Sequence, residues 1–210
     1  MKRLLLYSAL LLLPLFVSAE TFTLEQRRER SFQAPVLCDG DTVMMTFLRN
    51  KSVPLDHACV GAGIPNETAV DPATKGRLVI PDSVTAPNGI RCKVDKIARR
   101  AFAGCKNLTE VVMPETITDI GDQAFIGCKS MTRLTLPRDL RVIWPCAFRE
   151  CPSLRVVILH GQEKFSLYND IFDHSTMEHA ILMIPAGKVE EFRNSLVWGV
   201  FQYWMENHDL

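Results

Sequence analysis

The sequence lacks an excess of charge of either sign, because its 24 basic and 24 acidic side chains cancel. Nucleic-acid-binding domains usually carry a basic excess, so we expect no nucleic-acid partner. Aromatic residues are also scarce at 8%, whereas hydrophobic residues reach 47%, an ordinary share for a chain that folds around a core. Composition therefore indicates a globular protein and leaves its function open.

Sequence motifs of catalysis and metal binding are missing as well. The chain contains no P-loop, no G-x-S-x-G and no H-E-x2-H motif. Its seven cysteines in 210 residues are too few for a disulfide-stapled mini-protein, and they do not have zinc-ligand spacing. We therefore predict no catalytic residue, no metal site and no cofactor, and we interpret the chain as a non-enzymatic protein.

No apolar run reaches the roughly 20 residues that a membrane-spanning helix needs. The longest one lies in residues 1–19, where Lys2 and Arg3 precede leucine-rich stretches interrupted by Pro14, and the segment ends in Val-Ser-Ala. This arrangement is typical of a cleaved signal peptide. We expect an exported protein, periplasmic, secreted or associated with the cell surface, that keeps no membrane span after cleavage.

The middle of the chain repeats every 23 residues, and an Ala-Phe dipeptide marks each copy. Six columns keep this register: Ile97, Ile120 and Ile143; Phe102, Phe125 and Phe148; Cys105, Cys128 and Cys151; Leu108, Met131 and Leu154; Val111, Leu134 and Val157; Met113, Leu136 and Leu159. In the central copy Leu134 and Leu136 alternate as in a strand with one buried face, and Pro137 ends that strand. Apolar spacings of four, five and eight between residues 120 and 128 favour a short helical segment. Stacked copies would bury a common core and align their strands in a parallel sheet.

The three copies read IARRAFAGCKNLTEVVMP, IGDQAFIGCKSMTRLTLP and IWPCAFRECPSLRVVIL. They resemble the leucine-rich repeats of the BspA type, which are found in bacterial surface proteins. The resemblance covers residues 76–205 and implies an α/β fold, a right-handed solenoid of about five repeats with a parallel sheet of short strands. It also implies binding or adhesion rather than catalysis, without identifying the partner. The first and last copies are atypical, and Asn88-Gly89 predicts a hairpin inserted after the first.

The two ends of the chain need separate interpretations. Residues 20–75 contain no repeat, and their β-rich stretches predict an N-terminal β cap, preceded by a charged segment at 23–30 that is either a helix or disordered. Residues 188–205 predict a helical C-terminal cap, followed by a tail at 206–210. The aromatic residues of this cap either seal the core or form a platform for a ligand; we favour the seal.

Residues between the buried columns should form the exposed side of the sheet, the surface that such solenoids commonly use for binding. The candidate binding residues are Thr109, Glu110, Val112, Thr132, Arg133, Thr135, Arg155, Val156 and Ile158. Glu110 and Arg133 should be cross-strand neighbours of opposite charge. Val156 and Ile158 are oddly apolar for an exposed face, so either a partner or the C-terminal tail covers them, and we favour the tail. The expected partner is an extracellular or surface protein or a glycan.

The column cysteines should be buried thiols, because residues at identical repeat positions point the same way. Pairing of Cys38 with Cys59 in the N-terminal cap is one option that an oxidising compartment allows. Two other functions remain open. One is a structural role in which the solenoid forms a homodimer, and the other is a hydrolase that uses Cys59 with His57.

Overall fold

The structure, a computed structural model, describes residues 23–51, 56–160, 166–167, 170–196 and 198–208. The predicted signal peptide lies outside these residues, so its cleavage stays a prediction. Strands predominate in the described part of the chain, and its α-helices are short. This mostly β architecture is the open leucine-rich-repeat solenoid that the repeat pattern predicts.

A β-rich unit closes the N-terminal end of the solenoid. Its elements are α1 (Leu24–Arg30), β1 (Ser31–Cys38), β2 (Asp41–Lys51) and β3 (Asp56–Val60). Helix α1 begins with a capping box, in which the Thr23 side chain accepts from Gln26 N and the Gln26 side chain accepts from Thr23 N. The turn between β1 and β2 is Asp39-Gly40, whose φ angles of 48° and 89° suit a tight hairpin. The charged segment at 23–30 is therefore helical, and the β cap is confirmed.

The repeats contribute strands to two parallel arrays. The face array consists of β4 (Lys75–Val79), β7 (Asn107–Val112), β9 (Arg133–Thr135), β11 (Val156–Ile158), β13 (Ile181–Pro185) and β14 (Tyr203–Asn207). The back array consists of β6 (Arg91–Ile97), β8 (Asp119–Ile120), β10 (Val142–Ile143) and β12 (Ser166–Leu167). β1 pairs with β4 and β3 pairs with β6, so the N-terminal unit joins the two arrays into one sheet.

A hairpin sits where the sequence predicts it. β5 (Ser83–Thr85) pairs with β6 in antiparallel fashion around the turn that contains Asn88-Gly89. Ala86 N donates to Ile90 O at 2.8 Å and closes this turn. The inserted residues after the first repeat thus extend the back array.

The predicted helical segment is wrong for the central repeat, where residues 122–127 form consecutive turns. Phe125 N donates to Ala147 O of the next repeat at 2.8 Å, and Gly127 N donates to Arg149 O at 3.0 Å. Alternate N–H groups therefore satisfy their hydrogen bonds between repeats, whereas a helix would satisfy them within one segment. The copy that follows the three clear repeats carries a short helix instead, α2 (His174–His179).

A column of aromatic rings runs through the core. Phe125 stacks between Phe102 and Phe148 with ring centroids 5.0 Å apart on each side, and Phe148 stacks on Phe172 at 5.5 Å. The column ends against Trp198 and Phe201, which are both buried. These cap aromatics therefore seal the core, as favoured from the sequence, and are too buried to form a ligand platform.

The C-terminal cap is only partly helical. It begins with α3 (Val189–Arg193) and a 3₁₀ turn (Trp198–Val200), which together present Phe192 and Trp198 to the core. Residues 203–207 then form β14, which pairs in parallel with β13. The expectation of a helical cap is therefore wrong for residues 203–207, whose backbone groups pair with the edge of β13.

Candidate binding face

Strand pairing lines up two rows of side chains on the outer side of the face array, which we call the sheet face. The mixed row contains Arg77, Glu110, Arg133, Val156, Ile181 and Tyr203, as the strand registers show. The apolar row lies two residues further along each strand and contains Leu37, Val79, Val112, Thr135, Ile158, Met183 and Met205. Because strands alternate, the intervening Val111, Leu134 and Val157 face the core.

The members of the mixed row on β4, β7 and β9 form an ionic cluster. Arg77 Nε lies 3.0 Å from Glu110 Oε2, and Arg133 Nε lies 3.9 Å from Glu110 Oε1. The predicted cross-strand pair of Glu110 and Arg133 is therefore confirmed, with a second arginine on the other side of the carboxylate. Such exposed pairs contribute only about 0–1 kcal/mol to stability. Two guanidinium groups share one carboxylate, so the cluster keeps a positive charge.

The apolar row crosses the sheet from β1 to β14. Leu37 and Met205 at its two ends are exposed, whereas Val79, Val112 and Met183 are partly buried. With neighbouring strands about 4.8 Å apart, seven strands make a row roughly 29 Å long. Thr135 alone interrupts its apolar character. An apolar row of this length, with a single polar member, is unusual for a sheet side that faces water.

Two expectations about this surface are wrong. Ile158 is only 3% exposed, although it lies on the outer side of the sheet between Thr135 and Met183. Residues 203–207 lie beside β13 in the plane of the sheet, so this described part of the C-terminal segment does not cover Val156 and Ile158. That strand extends the sheet face instead of covering it.

The other predicted face residues differ in exposure, and Thr132 and Arg155 lie directly before β9 and β11. Thr109, Thr132 and Arg155 are exposed, and Glu110, Val112, Thr135 and Val156 are partly buried. Arg155 Nη1 donates to Pro152 O at 3.0 Å and lies 2.7 Å from His179 Nε2, so the guanidinium contacts both its own repeat and the next copy. Sequence reasoning missed the members of the two rows that come from the atypical copies and from the two caps: Leu37, Arg77, Val79, Ile181, Met183, Tyr203 and Met205. Four of them, Arg77, Val79, Ile181 and Met183, lie in the segments GRLVIP and ILMIP, whose alternating apolar residues and final proline are typical of a repeat strand.

The column cysteines are buried, as predicted, and their thiols bond to the preceding repeat. Cys128 Sγ donates to Phe102 O at 3.2 Å, and Cys151 Sγ donates to Phe125 O at 3.3 Å. Burial raises the pKa values of Cys105 and Cys151 to about 12. These side chains are therefore neutral, hydrogen-bonded core residues at physiological pH.

The optional disulfide between Cys38 and Cys59 is not formed, and all seven cysteines are free thiols. Cys38 lies opposite Asp41 on β2, whereas Cys59 lies opposite Leu48. Seven residues of extended chain separate those positions by about 23 Å. A disulfide needs Cα atoms within about 7 Å, so the geometry of the cap excludes this pairing.

The Cys59–His57 arrangement does not provide an activated nucleophile. Burial, with a further contribution from Asp95, raises the pKa of the Cys59 thiol to about 12, whereas a catalytic cysteine needs a lowered pKa. His57 Nδ1 lies 2.5 Å from Asp95 Oδ2, although the two groups are not aligned as a hydrogen bond. The imidazole therefore pairs with a carboxylate instead of activating the thiol.

In the described ranges, no group of three His, Cys, Asp or Glu side chains is placed to hold a metal ion. Among the same residues, no helix is long and apolar enough to cross a membrane.

The stacked repeats, parallel face array and continuous core define a leucine-rich-repeat solenoid. The BspA type leucine rich repeat region matches residues 82–196 in six copies, one more than we count from the sequence. This match covers more than half of the chain, which therefore belongs to that family. Membership of this family fits a protein-interaction role.

Two bacterial crystal structures are similar to this chain. A leucine rich cell surface protein from Faecalibacterium prausnitzii is 26% identical with a TM-score of 0.50, covering 72% of this chain and 37% of that one. A leucine-rich repeat protein from Bacteroides ovatus is 20% identical with a TM-score of 0.45, covering 67% of this chain and 39% of that one. This chain thus spans less than half the length of either protein. A comparison with curated protein sequences gave no match.

Proposed function

We propose that this chain is an exported, non-enzymatic binding or adhesion protein, and that its sheet face binds a protein or a glycan outside the cytoplasm. The observation that carries the proposal is the alignment of a cationic cluster and an apolar row on one open sheet. Export rests on the leader at residues 1–19 and on the similarity to a cell surface protein.

The two rows favour a protein over a glycan. Aliphatic and methionine side chains such as Val112, Met183 and Met205 gain most from burying another apolar surface, and methionine is enriched at protein interfaces. Arg77, Arg133 and Arg155 outnumber Glu110 beside that row, so a partner with acidic groups next to its apolar contact would be steered into place. A glycan would instead need exposed aromatic rings, of which the two rows supply Tyr203.

A binding screen with matched variants tests this proposal. The purified chain is applied to a glycan array and used as bait against a panel of purified extracellular proteins. We expect a ligand whose binding is lost in the double variant Arg133→Glu, Arg155→Glu and weakened in Ile181→Asp. The matched control is Lys96→Glu with Val142→Asp, which makes the same types of change on the back array.

Retention of binding by both face variants would contradict the proposal, and so would loss of binding in the control variant alone. A screen in which no glycan and no protein binds would also count against it.

A further inference from the structure

Strand β14 ends the face array, and within the described ranges no strand pairs with its outer edge. Ala186 N donates to Asn207 O at 3.2 Å, so the backbone groups of Asn207 face β13. Backbone groups of successive residues point to opposite sides of a strand, so those of Tyr203 and Met205 also face β13. The N–H and C=O groups of Trp204 and Glu206 therefore face the outer edge.

Strand β14 contains neither lysine nor proline, two residues that commonly protect an edge strand against pairing. Natural edge strands are blunted by lysine, proline, bulges or inward-pointing charges. β14 reads Tyr-Trp-Met-Glu-Asn, and its one charged side chain, Glu206, already accepts from Gly187 N at 3.0 Å. Nine large hydrophobic side chains are exposed in the described part of the chain, and four of them fall in the last segment: Leu196, Val200, Tyr203 and Met205. Tyr203 and Met205 lie on the same side of β14, so this edge borders exposed apolar surface.

We propose that a second copy of this chain pairs with β14 edge to edge, in antiparallel fashion, as a two-fold symmetric dimer with Met205 on the axis. In this register Trp204 pairs with Glu206 of the second copy, and Glu206 pairs with its Trp204. Both positions have backbone groups on the outer edge, so each pair forms two N–H···O=C bonds and the interface has about four. Met205 faces its own counterpart at the closely spaced, non-hydrogen-bonded position between them.

Other antiparallel registers pair fewer of the outward-facing backbone groups of β14 or bring like charges together. Placing Glu206 opposite Glu206 would bring two carboxylates together on one side of the sheet, which is unfavourable. Placing Trp204 opposite Trp204 would move Glu206 opposite Gln202, which lies outside β14. Only the Met205 register uses both outward-facing residues of each strand.

The same register joins the two apolar rows. Met205 ends the row that begins at Leu37, and on the axis it meets the Met205 that ends the row of the second copy. The dimer would therefore carry one apolar row twice as long as that of the monomer. A ligand with repeated contacts would bind both halves and gain avidity. We do not expect a dimer contact through Ile158, because this side chain is buried in the single chain.

Sedimentation of the purified chain over a concentration series tests the dimer without any ligand. We expect a monomer–dimer equilibrium that Met205→Lys weakens by about tenfold or more, because two ammonium groups would face each other on the axis. Met44→Lys is the matched control, since Met44 is 49% exposed and Met205 is 48% exposed. A monomer at every concentration, or equal weakening by both variants, would overturn the proposal.

Disulfide trapping tests the register itself. In a Cys146→Ser background, the Met205→Cys variant should form a covalent dimer on mild oxidation, because the two Cα atoms would lie about 4.5 Å apart. Tyr203→Cys should not, since four residues of extended chain separate its two copies by about 14 Å. Cross-linking of Tyr203→Cys at the same rate, or none in Met205→Cys, would overturn this register. Neither result depends on the sheet face binding a partner.

Discussion

A residue in this solenoid takes its role from the side of the strand on which its side chain lies. Leu134 is buried, whereas Arg133 and Thr135 on either side of it belong to the two rows of the sheet face. The alternating pattern predicted this division for each of the clear repeats. It did not predict that Ile158 is buried on the outer side of the sheet, because alternation assigns a residue to a side of the strand and not to a degree of exposure.

Truncating an inward and an outward residue of neighbouring repeats should have unequal effects on stability. Phe125 is fully buried between two stacked rings, so Phe125→Ala should lower the free energy of unfolding by about 3–5 kcal/mol. Glu110→Ala on the sheet face should lower it by less than about 1 kcal/mol. Urea titration followed by circular dichroism measures both changes. Equal losses would contradict the division into core and face.

The buried thiols predict a loss of stability at alkaline pH. Burial raises the pKa values of Cys105 and Cys151 to about 12, whereas an unfolded chain loses these protons near pH ~8.5. Above that pH the unfolded state binds fewer protons than the folded state, so stability is full below about 8.5 and falls as pH rises towards the folded-state values.

Unfolding free energies measured from pH 8 to 11 should therefore decline less steeply in a Cys105→Ala, Cys151→Ala variant than in the parent chain. Cys146→Ser, at a partly exposed position, serves as the control and should keep most of the parent slope. The same slope in all three proteins would show that the column thiols do not carry the effect.

At the scale of the element, the turn segments are where sequence reasoning failed. Their apolar spacing resembles that of a helix, but stacking allows hydrogen bonds between repeats, such as Phe125 N to Ala147 O. A single repeat contains no information about that partner. The same limitation applies to β8 and β10, which have two residues each and exist only because neighbouring repeats pair with them. In contrast, the helical spacing of Val189, Phe192 and Leu196 is only partly confirmed, since α3 (Val189–Arg193) contains the first two and Leu196 lies beyond it, exposed.

Substitutions at one turn position should change the free energy of unfolding in opposite directions in two successive repeats. Gly127 and Glu150 are 23 residues apart, and both have left-handed backbones, with φ of 76° and 58°. Glu150→Gly should raise the free energy of unfolding by up to about 1 kcal/mol, because glycine adopts this conformation without a Cβ clash. Gly127→Ala should lower it by about 1 kcal/mol for the converse reason. Thermal unfolding of both variants gives the comparison, and destabilisation by Glu150→Gly would contradict the shared turn.

At the scale of the whole molecule, the sequence predicts the solenoid and one open sheet, because a 23-residue period can bury its apolar columns only by stacking. It does not predict that the N-terminal hairpin joins two arrays, or that the last strand widens the face. Both features depend on which sheet edges the repeats leave open. The boundaries expected at residues 19, 75 and 205 stay predictions.

The central claim is that a partner lies on the sheet face, and hydroxyl-radical footprinting with a ligand from the binding screen tests it most directly. Met183 and Tyr203 belong to the two rows, whereas Trp144 is exposed beyond β10 of the back array and provides an internal control. The partner should slow oxidation of Met183 and Tyr203 and leave Trp144 unchanged. Protection of Trp144, with Met183 and Tyr203 oxidised as fast as in the free protein, would contradict the claim.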